Sequence, residues 1–323
     1  MQSAGAKKLP KTPPIPKIAS PRPDRNWRKQ NNSLVDRGNL TILVDPGCLG
    51  QRDVGPGAGK GRPYPDAVII MAVAVASIYH LPLRQTQGFL QMIAQLLGLA
   101  GEVPDYSTLC RRRRRLTLPW SKPPTGDRTI LIDATGTSLT HRHGWGEDKP
   151  GKTGKRKRGK YVKIHCGIDS QTGQVLALVL TESQGAGSAD SVVGPDLVTE
   201  ASEFLGDEGQ LVGGIGDGAY DSRYIYSRMH RQGGRWLAPL PGRPRSGRHP
   251  DRDEYIVYLK RKGLKLFKKH TGYHQRSLVE SWNAGAKATV RLSSQAHQFE
   301  SQSAEILGQI WAYDTMLQAA PIR

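Results

Sequence analysis

Four residues near the end of the chain, Tyr273, Arg276, Glu280 and Lys287, are separated by three, four and seven positions inside TGYHQRSLVESWNAGAK. At about 100° per residue a helix would project them at roughly 0°, −60°, −20° and −40°, one narrow stripe. An acid flanked by two cations and a phenol on one helical face is a surface suited to phosphate. Two more acids, Asp133 in TILIDATG and Asp217 in LVGGIGDGAYDS, stand at the expected ends of apolar strands. Breaking or exchanging a phosphodiester requires an activated oxygen nucleophile and relief of the charge gathering on phosphorus and on the leaving oxygen. Two Mg²⁺ ions about 3.5–4 Å apart meet both needs. Mg²⁺ takes hard oxygen ligands and keeps several waters, so three carboxylates suffice to hold the pair. Asp133 is assigned as the bridging ligand, with Asp217 and Glu280 each completing one ion. Arg276 would grip the flanking backbone through its bidentate fork and Lys287 as a point charge, while Tyr273 would hydrogen-bond a phosphate or nucleotide. The bland alternative is a surface ion pair between Arg276 and Glu280, with the aspartates serving turns or caps.

These residues need a scaffold that holds them together. On the other side of the expected helix, Leu278, Trp282, Gly285/Ala286 and Thr289 recur at the spacing of a buried stripe. Upstream, Thr129 to Asp133 reads as an apolar strand ending on an acid. Tyr161 to Asp169 alternates, with Val162, Ile164, Cys166 and Ile168 on one face; Ser170 to Gln174 is a turn, and Val175 to Thr181 returns as the partner strand. A helix is expected from about Ala189 to Leu205, then a strand Leu211 to Asp217, a short helix, and a strand Arg235 to Leu240. Three antiparallel-type strands, helix, strand, helix, strand and a late acid-bearing helix follow the plan of a ribonuclease H-like α/β fold, a mixed sheet with flanking helices over residues 121–323. In that plan Asp133 and Asp217 lie on neighbouring strands and the Glu280 helix packs beside them.

The remaining sequence is strongly basic: 47 Lys and Arg against 28 Asp and Glu give a net charge of +19, which points to a polyanionic partner. Residues 1–37 read as an extended, Pro-rich basic arm. Residues 38–120 read as a mainly helical DNA-binding region. There Asp66 is expected to cap a buried apolar helix, a second helix runs from Leu83 to Leu97, and Asp105 caps YSTLCRRRRRL. The last two resemble a helix-turn-helix whose basic helix ends in Arg111, Arg112, Arg113, Arg114 and Arg115, expected on nucleic acid. Lys149 to Lys163 holds eight Lys and Arg in fifteen residues. Its Lys155, Arg156, Lys157 and Arg158 are expected to clamp a DNA backbone, and Lys260 to Lys269 to extend the same surface. The glycine-rich GPGAGKGRPYP is a loop and not a phosphate loop, because Lys60 is followed by Gly61. Cys48, Cys110 and Cys166 are far apart, which suggests neither a disulfide framework nor a zinc knuckle. The apolar run Ala67 to Ile78 is well short of the roughly 20 residues of a membrane span, and no secretory signal is visible, so a cytoplasmic protein is expected.

LIDATGTS around Asp133, GDGAYDS around Asp217, RGKYVKIHCGIDSQTGQVLALVLT and GYHQRSLVESWNAGAK together resemble the DDE transposases of bacterial insertion sequences, most of all the insertion-sequence-five family. The last stretch matches that group's Tyr-Arg-Glu-Lys signature at all four positions, and the likeness spans about residues 35 to 317. The resemblance implies cleavage at transposon ends, strand transfer into target DNA, two divalent ions (Mg²⁺, with Mn²⁺ as a substitute) and a homodimer or higher multimer on double-stranded DNA at the bacterial nucleoid. Trp282 and Gly285 depart from what that helix would favour. Two other readings are a ribonuclease H-like nuclease that cuts without joining, and a non-catalytic DNA-binding regulator derived from a transposase.

Overall fold

The computed structural model describes residues 26–39, 43, 48, 64–98, 103–139, 161–183, 185–242 and 244–319. Arm residues 1–25 and the basic run holding Lys155, Arg156, Lys157 and Arg158 lie outside the described residues. The end of the expected arm is a helix, α1 (Trp27–Asp36), where Asn26 accepts the Lys29 backbone N–H at 3.1 Å. An extended arm is therefore corrected at this point: past Pro23 no proline remains to break a helix, and a capping residue starts one.

Three helices follow, α2 (Asp66–Tyr79), α3 (Leu83–Leu96) and α4 (Tyr106–Arg113). α2 and α3 are bent by 111° across a break at which His80 is left-handed (φ 56°) and Pro82 caps the next helix. Asp105 caps α4 as expected, accepting the Ser107 and Thr108 backbone N–H groups at 2.8 and 3.0 Å. Asp66 does not cap α2; it is the first helical residue, behind Pro65. Among the described residues no single helix is long and apolar enough to cross a membrane.

The main sheet has five strands: β1 (Gly126–Gly136), β3 (Val162–Asp169), β4 (Val175–Glu182), β5 (Gly209–Ile215) and β6 (Arg235–Leu237). Their order is β4-β3-β1-β5-β6, with β1, β3 and β4 antiparallel and β5 and β6 parallel to β1. The hairpin expected between Tyr161 and Thr181 is β3–β4, turned by Gly173 at φ 73°. β6 stops at Leu237, three residues short of the expected strand. A second sheet is a two-residue parallel pair, β2 (Ser138–Leu139) with β7 (Ser293–Ser294). Gly214 and Gly216 in and after β5 lie against the Trp236 ring, where an added Cβ would come within 2.5 and 2.6 Å of it. The glycine-rich LVGGIGD thus makes room for a flat indole on the sheet.

Helices pack on the sheet in two groups, α5 (Asp190–Leu205) with α6 (Arg223–Arg231), and α8 (Ser277–Val290) with α9 (Phe299–Ala319). A long helix, α7 (Pro250–Thr271), precedes α8 and is interrupted at Gly263, whose φ of 78° is not helical. α9 joins the molecule's two cores: Ile306 and Ile310 lie in the sheet core, while Trp311, Ala312 and Met316 join residues of α2, α3 and α4.

Candidate active site

β1 is the centre of the sheet, and Asp133 sits inside it rather than at its end. Leu131 pairs with Ile215 of the parallel β5, and two residues further along each chain stand Asp133 and Asp217. β5 has ended by then, whereas β1 continues on β3, pairing Asp133 with Cys166 and running to Gly136. Asp133 is therefore a mid-strand residue exposed on one edge where its parallel neighbour departs. Openings of this kind beyond the carboxyl ends of strands are where α/β sheets bind ligands. Asp217 caps a short 3₁₀ turn, Gly218–Tyr220, and accepts the Ala219 backbone N–H at 2.9 Å. The turn is pinned from behind. Trp236 donates its indole N–H to the Tyr220 carbonyl, and Arg252 makes two 2.7 Å hydrogen bonds to the Asp221 carboxylate.

α8 packs beside β1, and two of its side chains hydrogen-bond to β1 side chains. Asn283 donates to the Asp133 carboxylate at 3.1 Å, and Lys287 donates to the Thr135 hydroxyl at 2.5 Å. The match follows from geometry, since four residues of helix rise about 6 Å and two residues of strand about 6.6 Å. The buried side of α8 is Val279, Trp282, Asn283, Ala286 and Val290. It is rotated from the expected Leu278, Trp282, Gly285/Ala286 and Thr289 stripe because α8 must reach both β1 and α9. Tyr313 of α9 explains the two unusual residues: its ring meets Trp282 edge-on at 5.2 Å, and its hydroxyl occupies the space a Gly285 side chain would need.

The stripe is not one continuous α-helix. α7 ends at Gly272 (φ 77°), Tyr273–Arg276 form a 3₁₀ turn, and α8 begins at Ser277. Tyr273 and Arg276 still reach the acids. Burial raises the Tyr273 phenol pKa, with Arg276 opposing and Asp217 and Glu280 adding to the rise. Burial works against the Arg276 charge, yet Tyr273, Glu280 and Asp133 raise its pKa overall. Arg276 pairs with Glu280 at 2.5 Å, so the bland ion pair does form. With Glu280 about half exposed, such an i,i+4 pair contributes only about 0.3–0.5 kcal/mol, and the carboxylate is readily released to another cation.

Asp133 carries the electrostatic mark of the site. Burial raises its pKa; the Ala134 N–H, Arg276 and Asn283 lower it, and Asp217 raises it again. A desolvated carboxylate beside a second acid favours a cation, and the donor set is hard oxygen throughout. The Asn283 side-chain carbonyl is also buried and finds no hydrogen-bond partner among the described residues. These residues fit divalent metal. Among the described residues, however, the one group of His, Cys, Asp and Glu side chains with ligand atoms all within 4.8 Å is elsewhere, at His230, His249 and Asp251. Glu280 is held on Arg276, and Asp133, Asp217 and Glu280 do not form such a group among the described residues.

Sequence reasoning does not single out Asn283 or Thr135. Asn283 lies roughly 60° around the helix from Glu280, so the same angular argument reaches it. Thr135 follows from Asp133 by the two-residue period of a strand.

The basic helix divides. Arg111, Arg114 and Arg115 are exposed, with Arg111 donating to Thr108 at 3.3 Å. Arg112 donates to the Tyr64 carbonyl and pairs with Asp66, while Arg113, 10% exposed, pairs with Glu305 of α9 at 2.8 Å. Two of the five arginines thus hold α4 to α2 and α9. Lys163, at the end of the basic run, donates to Asp190 and to the Ser188 carbonyl.

The structure is a mixed α/β domain with an acidic, cation-flanked site on its central strand. Two family models, each described as a transposase DDE domain, match residues 35–142 and 124–314, and the chain belongs to that family. The family is one of transposases, whose DDE domains depend in general on divalent metal. Among solved structures the chain is similar to one in the cryo-EM structure of the simian T-cell lymphotropic virus intasome in complex with PP2A regulatory subunit B56 gamma, at 12% identity and a TM-score of 0.29 over 73% of this chain and 66% of that one.

Proposed function

We propose that this chain is an insertion-sequence transposase of the insertion-sequence-five type, with a ribonuclease H-like catalytic domain, acting at the bacterial nucleoid. It binds the terminal inverted repeats of its element as a homodimer or higher multimer on double-stranded DNA, cleaves phosphodiesters at the ends and joins the strands to target DNA. The observation that carries this reading is the convergence on β1: Asp133 beside Asp217, Asn283 on Asp133, and Arg276 with Glu280 at the head of α8. The strand order β4-β3-β1-β5-β6 supports the ribonuclease H-like assignment.

Asp133, Asp217 and Glu280 would hold two Mg²⁺ ions, or Mn²⁺ in their place. The ions, when bound, would activate the attacking oxygen and stabilise the leaving one. Asn283 orients the Asp133 carboxylate through its hydrogen bond and favours the ionised form. Arg276 and Lys287 would neutralise the DNA backbone beside the scissile phosphate, and Tyr273 would donate its hydroxyl to a phosphate or nucleotide. Arg111, Arg114 and Arg115, being exposed, are the members of their run suited to capturing uncut DNA, and Lys155, Arg156, Lys157 and Arg158 would add backbone contacts.

The test uses a duplex bearing the element's end, with nicking, joining and gel-shift binding measured in Mg²⁺. Asp133→Asn, Asp217→Asn and Glu280→Gln should each abolish nicking and joining while retaining end binding. A variant that nicks at a near-normal rate removes its residue from the site. Nicks without joined product would favour the nuclease reading.

A further inference from the structure

His230 stands in the last turn of α6, His249 is the N-cap of α7, and Asp251 lies in the first turn of α7. The ligand atoms of these three side chains lie within 4.8 Å of one another. His230 Nδ1 is 3.4 Å and His249 Nδ1 4.0 Å from the same Asp251 oxygen, Oδ2. With metal–ligand bonds of about 2.0–2.2 Å, the edge of a tetrahedral zinc site is roughly 3.4 Å. The first separation already has that length, and the second, at 4.0 Å, needs a shift of about 0.6 Å.

Asp251 is 5% exposed, yet its Oδ2 finds no hydrogen-bond partner among the described residues, and neither does the buried His249 Nδ1. Two adjacent, unsatisfied ligand atoms sealed from water are costly unless something sits between them. A plain hydrogen bond from either ring would satisfy Oδ2, and neither ring makes one. His249 is held in place for ligation. Its ring stacks on Tyr226 at 5.6 Å and meets His230 edge-on at 5.6 Å. His230, 65% exposed, provides the entry path.

We propose that His230 Nδ1, His249 Nδ1 and Asp251 Oδ2 form a site for one transition-metal ion, Zn²⁺ fitting best, with the fourth position open to water. Two imidazoles and one carboxylate suit zinc, whereas the all-oxygen set around Asp133 suits Mg²⁺, so the two sites differ in the ion they select. The ion ties the end of α6 to the start of α7. The next residue, Arg252, is the partner that pins Asp221 behind the Asp217 turn. The ion's role is to hold that turn.

The test takes the full chain, stripped by chelator, and titrates it with Co²⁺ and then Zn²⁺. One equivalent of Co²⁺ should bind with the intense visible bands of a tetrahedral site, Zn²⁺ should displace it, and Zn²⁺ should raise the unfolding midpoint. His230→Ala, an exposed change that leaves the fold intact, should abolish both effects, with an affinity loss beyond the roughly 10–100-fold of losing an outer-shell partner. Asp133→Asn should leave them unchanged. Absence of a stoichiometric site, or bands that persist in His230→Ala or vanish in Asp133→Asn, overturns the proposal.

Discussion

Replacing Asn283 with alanine removes a neutral donor 3.1 Å from the Asp133 carboxylate and should move the acid limb of the pH–rate profile. Burial already holds this carboxyl above the ordinary range, and the Ala134 N–H, Arg276 and Asn283 draw it back down. Without one of those donors it rises further. A hydrogen bond to a charged group contributes about 1.5–3 kcal/mol, which is the ceiling on what the ionised form loses with this donor. Asn283 ranks behind Ala134 and Arg276 among the influences that lower the Asp133 pKa, so the acid limb should move to higher pH by less than that ceiling allows. The form that binds metal is the ionised one. Nicking should therefore fall off at higher pH in Asn283→Ala than in the parent, with the plateau at high pH largely kept, and Asn283→Asp should move the limb further by adding a like charge. Initial nicking rates in saturating Mg²⁺ from pH 5 to 9 measure this. A limb that stays in place while the plateau drops, or one that moves to lower pH, refutes the argument and leaves Asn283 a packing residue.

Arg276→Ala and Lys287→Ala should slow cleavage by about 2–4 kcal/mol in the barrier while weakening end binding far less; a fall in binding that matches the fall in cleavage makes both residues general DNA contacts. Arg276→Lys should recover little, because the bidentate fork is gone. Burial pushes the Asp314 pKa up to about 7 while its carboxylate accepts the Val175 N–H at 2.9 Å. A carboxyl raised on folding contributes stability below its unfolded pKa and loses it as pH rises toward 7, so Asp314→Asn should raise stability at pH 8 by on the order of 2–4 kcal/mol and change it little near pH 4; equal effects at both pH values contradict this. Neutralising Lys155, Arg156, Lys157 and Arg158 should flatten the salt dependence of end binding, the log–log slope falling by about 0.9 for each phosphate that the variant no longer neutralises. An unchanged slope makes that run a solvated loop.

What the sequence discloses is what repeats locally. The hairpin of β3 and β4 shows in its alternation and its Gly173 turn, the Asp105 cap in its position directly before YSTLCRRR, and the central strand in Thr129 to Asp133. α7 is hidden because Gly263 interrupts it and its lysines read as a charge run rather than a helix. The stripe from Tyr273 to Lys287 reads as one angular period, although Gly272 and a 3₁₀ turn reset the phase before Ser277. Contacts between distant residues leave no local trace: Arg113 on Glu305, Asp314 on the Val175 amide, Tyr313 against Gly285.

The same limit decides which acids are available for chemistry. GDGAYDS contains two aspartates four residues apart, and periodicity does not separate their roles. The structure does, because Asp221 is fixed in a buried two-bond pair with Arg252, itself 1% exposed. Breaking such a pair costs about 3–5 kcal/mol, so Asp221 holds the turn and is not released to a ligand. Asp217 is engaged by one backbone N–H, and Glu280 by an exposed pair of about 0.3–0.5 kcal/mol. A divalent cation easily outweighs partners of that strength. The acids left with weak partners, beside a desolvated Asp133, are thus the ones a metal can recruit, and that distinction rests on the strength of contacts made across the fold.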